Sequence, residues 1–308
     1  MNQKELIIAS ACSSAGIGME GYKRAGFVPA YALEIEAEPA AIFDANHRYS
    51  DGSSIMNVKS LYDVTGQEVL AQIKAKTGSD KIHLFELGPS CQDFTKLKTS
   101  GVDRGRNQLM LEALRLIDET QPEVAIIEEV PDFLYDKFKE VSEPYFARVN
   151  TMGYQSAYMT MNTIHYGSNQ SRKRFIHMFV RADRCKSPVF PTPNVIDVKR
   201  VKDFLDIDHF FSGHFSDTIK NKNHFMCTVT SGSPTWFAKD GIKYPPTIEE
   251  LCKCMDLPSS FKMLGPVAVQ KLALGNGIPA ALTYQLGRTI IQDILELKRT
   301  AKDVWVPR

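Results

Sequence analysis

A cysteine that follows Gly-Pro-Ser at the end of an apolar run is the first residue here that could do covalent chemistry. It stands in Gly88-Pro89-Ser90-Cys91-Gln92-Asp93-Phe94-Thr95. A thiol in a strand-end loop is a usable nucleophile when its pKa is lowered or its target is activated. The plainer reading is a buried, inert thiol. Ile126-Ile127-Glu128-Glu129-Val130-Pro131 ends a second apolar run in two carboxylates. A partly desolvated carboxyl group there could act as an acid, while at least one of the pair starts a solvated loop. In Gln170-Ser171-Arg172-Lys173-Arg174 the Gln and two Arg alternate, so an extended chain turns them to one face. Such Arg side chains suit a carboxylate, a phosphate or a base carbonyl, or form a solvated basic cluster.

Two glycine turns complete the set. Cys12-Ser13-Ser14-Ala15-Gly16 follows Leu6-Ile7-Ile8-Ala9, and Glu34 lies 18 residues after Gly16. Strand, glycine turn, helix and a later acid is the arrangement that cradles a nucleotide and holds its ribose, though alone it is a weak signal. Gly275-Asn276-Gly277-Ile278-Pro279 reads as a turn opening the last helix.

These residues need elements to position them. Apolar runs over 6–11, 30–35, 81–87, 122–130, 154–161 and 175–180 predict strands. Helical spacing over residues 36–46, 64–76, 108–120 and 279–297, and a stretch ending near Gly26, predict the helices between and after them. Alternation of this kind implies an α/β fold, with a doubly wound, mostly parallel sheet covered on both faces. It places the Cys, Glu and glycine motifs at the carboxyl edge of that sheet. Residues 184–264 are rich in proline and aromatics with weak periodicity, which predicts a second, smaller, irregular domain. Residues 265–308 are expected to return to the first domain, 1–183.

Composition limits what the chain can be. It has 308 residues, 43% hydrophobic and 24% charged, with 37 Lys+Arg against 36 Asp+Glu and a net charge of +1. That excludes a disordered or collagen-like chain and a broadly basic coat, so a polyanion would need a local basic face. Six cysteines at irregular spacing suit a reducing compartment, and Cys252 and Cys254 are too close for usual zinc spacing, so no metal is expected. No run of 18 apolar residues occurs, and Leu6-Ile7-Ile8-Ala9 reads as a strand rather than a leader. An intracellular protein without a membrane span is expected.

The order and spacing of the five motifs, over nearly the whole chain apart from roughly 185–225, resemble the cytosine-C5 DNA methyltransferase family. Cys12 to Gly16 is similar to its Phe-x-Gly-x-Gly cofactor loop, continued by Gly21 to Phe27. Pro89-Ser90-Cys91-Gln92 is similar to Pro-Pro-Cys-Gln, Glu128-Glu129-Val130 to Glu-Asn-Val, and Gln170 to Arg174 to Gln-x-Arg-x-Arg. Arg106-Asn107-Gln108-Leu109 and Gly275-Asn276 match further motifs. The resemblance implies a Rossmann-like class I methyltransferase domain, a small target-recognition domain, S-adenosylmethionine as cofactor and double-stranded DNA as partner. It implies Cys91 as the nucleophile at C6, Glu128 as the acid at N3, Arg174 at O2, and Arg172 with Gln170 holding the site together. Gln92 is expected on the substrate side. Cys12, Ser14, Ala15, Gly16, Glu34, Ile35, Asn57, Pro89 and Asn276 are the expected cofactor contacts. The target base must be flipped from the duplex. A monomer in a prokaryotic or viral cytoplasm or nucleoid is expected.

The chain departs from the family at Cys12 and Ser14 (for Phe and Gly), Asn57 (for Asp), Ser90 (for Pro) and Glu129 (for Asn). Adjacent carboxylates at 128 and 129 would raise each other's pKa if close. The small unmatched region predicts a short target of about two to four base pairs, with Lys199, Arg200, Lys202, Lys220 and Lys222 as phosphate contacts or merely a solvated face. Thr95 resembles the tRNA-methylating branch, which keeps RNA open as substrate. A silent DNA binder would have no use for Cys91, and a nicotinamide oxidoreductase none for the Cys, Glu and Arg set.

Overall fold

A computed structural model describes residues 5–89, 108–184, 187–213 and 218–295. Ser90, Cys91, Gln92, Thr95, Arg106 and Asn107 lie outside the described residues, as does Cys185.

The larger unit alternates strand and helix: β1 (Leu6–Ala11), α1 (Ile17–Ala25), β2 (Phe27–Glu34), α2 (Ala37–Asn46), β3 (Met56–Val58), α3 (Gly66–Thr77), β4 (Leu84–Leu87), α4 (Leu109–Thr120), β5 (Val124–Glu129), α5 (Lys139–Val149), β6 (Tyr154–Asn162) and β7 (Lys173–Arg181). The seven strands form one sheet in the order β3-β2-β1-β4-β5-β7-β6. Pairing is parallel from β3 through β5, and β7 runs antiparallel to both of its neighbours. The chain winds outward from β1 to β3, then returns to build the other half from β4. Its switch point is therefore the β1/β4 pair, whose carboxyl ends open a crevice.

Strand alternation gives the sheet two apolar faces. Ile7, Ala9, Phe85, Ala125 and Ile127 pack under α3, α4 and α5 through Val69, Ile73, Leu114, Ile117 and Tyr145. Ile8, Leu84, Ile126 and Ile176 pack on the opposite side under α1 and α8 (Ala280–Thr289) through Met19, Tyr22, Leu282 and Leu286. The α1–α8 contact depends on Gly21, where an added Cβ would lie 2.0 Å from Thr283 Oγ1 and 2.1 Å from the Ala280 carbonyl oxygen.

The structure departs from the expected elements in four places. β2 starts at Phe27, before the expected 30, because a register shift between Ile8 and Ala9 accommodates Pro29 inside the strand. α5 carries Pro144 in its interior, yet Val141, Tyr145 and Val149 repeat every four residues and bury one face. The helix expected over 279–297 is α8 followed by a π-helical turn, Ile290–Ile294. Asn276 closes α7 (Val267–Asn276) instead of sitting in an open turn.

The region read as irregular contains a four-stranded antiparallel sheet. Its strands β8 (His209–Phe211), β9 (Ile219–Asn221), β10 (Trp236–Lys239) and β11 (Ile242–Tyr244) take the order β11-β10-β8-β9. Strands of three or four residues are too short to show a period. Thr247 caps α6 (Ile248–Cys254) with a reciprocal Glu250 bond. Phe210, Phe237, Leu251 and Cys254 share one apolar cluster with Ala15, Ile17 and Ile42 of the larger unit. The small unit therefore shares an apolar cluster with the loop that follows β1. Among the described residues no helix is long and apolar enough to cross a membrane.

Candidate active site

The loop after β1 turns sharply, with Cys12, Ser14 and Gly16 at φ 54°, 45° and 73°. Ser14 thus holds a left-handed conformation that the family's glycine adopts without strain. Three devices keep the loop in place. The Ser13 N–H donates to the Leu33 carbonyl at 3.0 Å, tying the loop to β2. The Glu34 carboxylate accepts from the N–H groups of Ser14 (2.7 Å), Ile35 (2.8 Å) and Glu36 (3.0 Å). Burial lifts its pKa above the ordinary value against the pull of those bonds. His47, fully buried, donates from Nε2 to the Gly16 carbonyl at 2.8 Å. Burial pushes its pKa down to about 3, so the ring is neutral.

His47 belongs to no motif in the sequence; only packing brings the end of α2 under the loop. A Cβ on Gly16 would lie 2.5 Å from the His47 ring and 2.6 Å from Phe43, which explains the glycine there. Ile35 is 61% exposed at the mouth of the crevice. The Asn57 amide nitrogen donates to the Ala32 carbonyl at 3.1 Å, and among the described residues no donor reaches its Oδ1. The buried Ser13 hydroxyl also has no partner among them. Gly277, beside Asn276, packs on the start of α1. Ala15 is buried. The loop, Glu34, Ile35, Asn57 and the α1 N-terminus thus form a cradle with open hydrogen-bonding atoms, a fit for an adenosine-type ligand.

Across the crevice, β4 is followed by Gly88 and buried Pro89. A Cβ on Gly88 would lie 3.5 Å from the Cys12 carbonyl oxygen and 3.8 Å from Glu128 Oε2. The β1 loop and the β5 carboxylate therefore meet at the point where the chain leaves toward Cys91. Glu128 forms an ion pair with the Arg174 Nε of β7, and Arg174 also donates to the Lys173 carbonyl at 2.8 Å. Both side chains are nearly buried. Adjacent residues on a strand face opposite ways, so Glu129 points to the other side of the sheet. It is buried there, accepting from the Val130 N–H at 2.8 Å. Burial, then the nearby Glu128 charge, raises its pKa well above the carboxylate range. The shift expected from the two carboxylates thus falls on Glu129. Burial also lifts the Cys12 thiol, with Glu34, Glu86 and Glu129 adding to it, so this cysteine is an inert thiol.

Gln170 and Arg172 precede β7. Gln170 is fully buried; its amide donates to the Cys254 carbonyl (2.9 Å) and its Oε1 accepts from the Val229 N–H (2.9 Å). Arg172 donates to the carbonyls of Val229 (2.7 Å) and Gly275 (2.6 Å). Of the three, only Arg174 lies in the sheet, and it reaches Glu128. Gln170 and Arg172 instead fasten the small unit and α7 to the larger one. Sequence reasoning also missed Glu86, the acid in Leu84-Phe85-Glu86-Leu87; its signal was a carboxylate inside an otherwise apolar strand.

On the small unit, Lys202 is exposed and Lys220 half-exposed. Lys222 is paired with Asp208 at 3.0 Å, and Arg200 lies over the Phe225 ring at 5.8 Å. Phe211 stacks on Trp236 at 5.7 Å, with Lys243 over the Trp236 ring at 4.5 Å. Cys252 and Cys254 are buried free thiols. Among the described residues no group of three or more His, Cys, Asp or Glu is arranged to hold a metal ion.

The strand order, the β1 loop and its acid define the class I methyltransferase fold. The fold is shared with EhMeth of Entamoeba histolytica, at TM-score 0.72 and 16% identity over 94% of this chain and 99% of that one. The chain belongs to the C-5 cytosine-specific DNA methylase family, whose sequence model matches residues 7–238. It is similar to the type II methyltransferase M.AgeI of Thalassovita gelatinovora, 27% identical over 61% of this chain. That match spans only 42% of the M.AgeI length. M.NgoPII of Neisseria gonorrhoeae, also a type II methyltransferase, is 21% identical over 93% of this chain and 95% of its own.

Proposed function

We propose that this protein methylates C5 of cytosine in duplex DNA, using S-adenosylmethionine. The observation that carries the reading is the Glu128–Arg174 pair, set beside Gly88 and facing the β1 loop across it. An acid held by a guanidinium, at the mouth of a nucleotide cradle and beside the Gly88 that the sequence follows with Pro89-Ser90-Cys91, matches the needs of cytosine activation.

C5 of cytosine is a poor nucleophile. Addition of the Cys91 thiolate at C6 converts the ring to an enamine, and charge develops at N3. Glu128, after taking a proton from solvent, passes it to N3, and Arg174 holds the carboxyl group in place; the proton returns to Glu128 when Cys91 departs. S-adenosylmethionine supplies an electrophilic methyl group. Glu34, Ile35, Asn57 and the Cys12–Gly16 loop would hold its adenosine. After transfer a base, water in the simplest case, removes the C5 proton and Cys91 departs. The basic and aromatic residues of the small unit would contact the duplex while the target base is flipped.

The test is transfer of labelled methyl from S-adenosylmethionine to unmethylated duplex DNA and to bulk tRNA in parallel, with Cys91→Ala as control. Label at C5 of DNA cytosine, lost in the variant, is expected. Label in tRNA alone would replace DNA by RNA as substrate. Cofactor binding without label in either would leave a silent binder.

A further inference from the structure

Glu86 takes part in none of the motifs above. Its three companions in β4, Leu84, Phe85 and Leu87, are fully buried, whereas Glu86 is only partly so. β4 lies between β1 and β5 at the switch point of the sheet, where the crevice opens. Alternation puts Glu86 on the same face as Ser10 and Glu128. The Ser10 hydroxyl donates to Glu86 Oε2 at 2.6 Å. Among the described residues no other group bonds the carboxylate, and no cation pairs with it. Its titratable surroundings are the Cys12 thiol from the β1 loop, the Tyr22 phenol from α1 and the Glu128 carboxylate from β5. All three become anionic or stay neutral, and the Arg174 guanidinium is engaged with Glu128.

An acid that no described residue neutralises, at the base of a ligand crevice, is costly unless the ligand brings the charge. The function proposed above supplies such a ligand. S-adenosylmethionine carries a sulfonium and an ammonium against one carboxylate. Resting on that reading, we infer that Glu86 is the counter-charge for the cationic methionine arm of the cofactor. Its place between the β1 loop, which would hold the adenosine, and Glu128, which faces the base, is where that arm must run. In the ligand-free protein, burial and then the Glu128 charge lift the Glu86 pKa to about 7, against the pull of the Ser10 bond. A bound cation favours the ionised form, so binding releases a proton from the fraction of molecules in which Glu86 is protonated.

Titration calorimetry of the full chain and of Glu86→Gln tests this with three ligands. 5′-Methylthioadenosine has neither cation, S-adenosylhomocysteine has the ammonium alone, and S-adenosylmethionine has both. The variant should bind S-adenosylmethionine about ten- to a hundredfold more weakly, the scale of a lost charged hydrogen bond, and methylthioadenosine within about twofold of the parent. A loss shared by S-adenosylhomocysteine places Glu86 at the ammonium; a loss confined to S-adenosylmethionine places it at the sulfonium. In the parent, affinity should rise about fivefold from pH 6 to pH 7, a range in which the ligand's ammonium stays mostly charged, and stay flat in the variant. Unchanged S-adenosylmethionine affinity in Glu86→Gln overturns the inference while leaving the methyl donor in place. Equal weakening of methylthioadenosine also overturns it, since that marks a structural role. If the parent binds none of the three, the methyl-donor reading fails and this inference with it.

Discussion

At the edge of the seven-stranded sheet, Glu86, Glu128 and Arg174 come from three strands and lie on one face, each held by a neighbour or by the sheet itself. On the four-stranded sheet, Lys220 and Lys243 stand on strands of three residues, and Lys222 follows β9 in the turn. Their partners are an exposed aspartate or an aromatic face. The first region has low solvent access and costly charges, so each group is fixed, and burial lifts the Glu86 carboxyl well above its ordinary range. The second is screened, with charges that can be rearranged at little cost. A pocket that steers electrons in a ring needs the former. A surface that follows a phosphate backbone needs only the latter.

Perturbing the two regions should separate these roles. The largest effect is expected for Glu128→Gln. Methyl transfer should fall by about 10²–10⁴-fold, the range for loss of a positioned acid, with the chain still folded and binding cofactor. A variant that keeps its rate would remove Glu128 from the chemistry. Arg172→Ala comes next, but through stability. Two buried carbonyls lose charged donors, and urea unfolding should show a loss of about 2–4 kcal/mol.

Glu129→Gln should act in a pH-dependent way. The native pKa of Glu129 lies above that of the unfolded chain, near 4.3, so the native state binds more protons between the two values. The stability Glu129 contributes is therefore greatest below pH 4.3 and declines as pH rises toward its native pKa. The variant, which cannot titrate, should match the parent at low pH and surpass it progressively toward neutrality. Parallel stability profiles would show that Glu129 is not held protonated. The smallest effect is expected for Lys202→Ala and Lys220→Ala, each leaving the melting temperature unchanged. Each should weaken DNA binding alike for all sequences and reduce the slope of log K against log salt by about 0.9. A melting temperature as low as that of Arg172→Ala would erase the contrast between the regions.

Much of the larger unit was legible in the sequence. The apolar runs at β1, β4 and β5 and the turn chemistry of Ser13 to Gly16 and of Gly88-Pro89 are local signals, and they mark strand ends directly. Less of the small unit was legible, because three-residue strands carry no period and Pro234, Pro245 and Pro246 mask the turns between them. The alternation of Gln170, Arg172 and Arg174 was read correctly as extended chain. Their fates still diverged, because the first two precede the sheet and meet the backbone of residues 229, 254 and 275.

The sequence by itself determined the alternating fold, the order of the motifs and which residue types could act on a cytosine ring, since each follows from neighbours within a few positions. Only the tertiary structure decided which of Glu128 and Glu129 is partnered with Arg174 and which is sealed beneath the sheet. It also decided that His47 braces the Gly16 turn and that, among the described residues, no cation pairs with Glu86. Those outcomes depend on contacts between residues 31 to 76 positions apart, and on the solvent each pairing excludes.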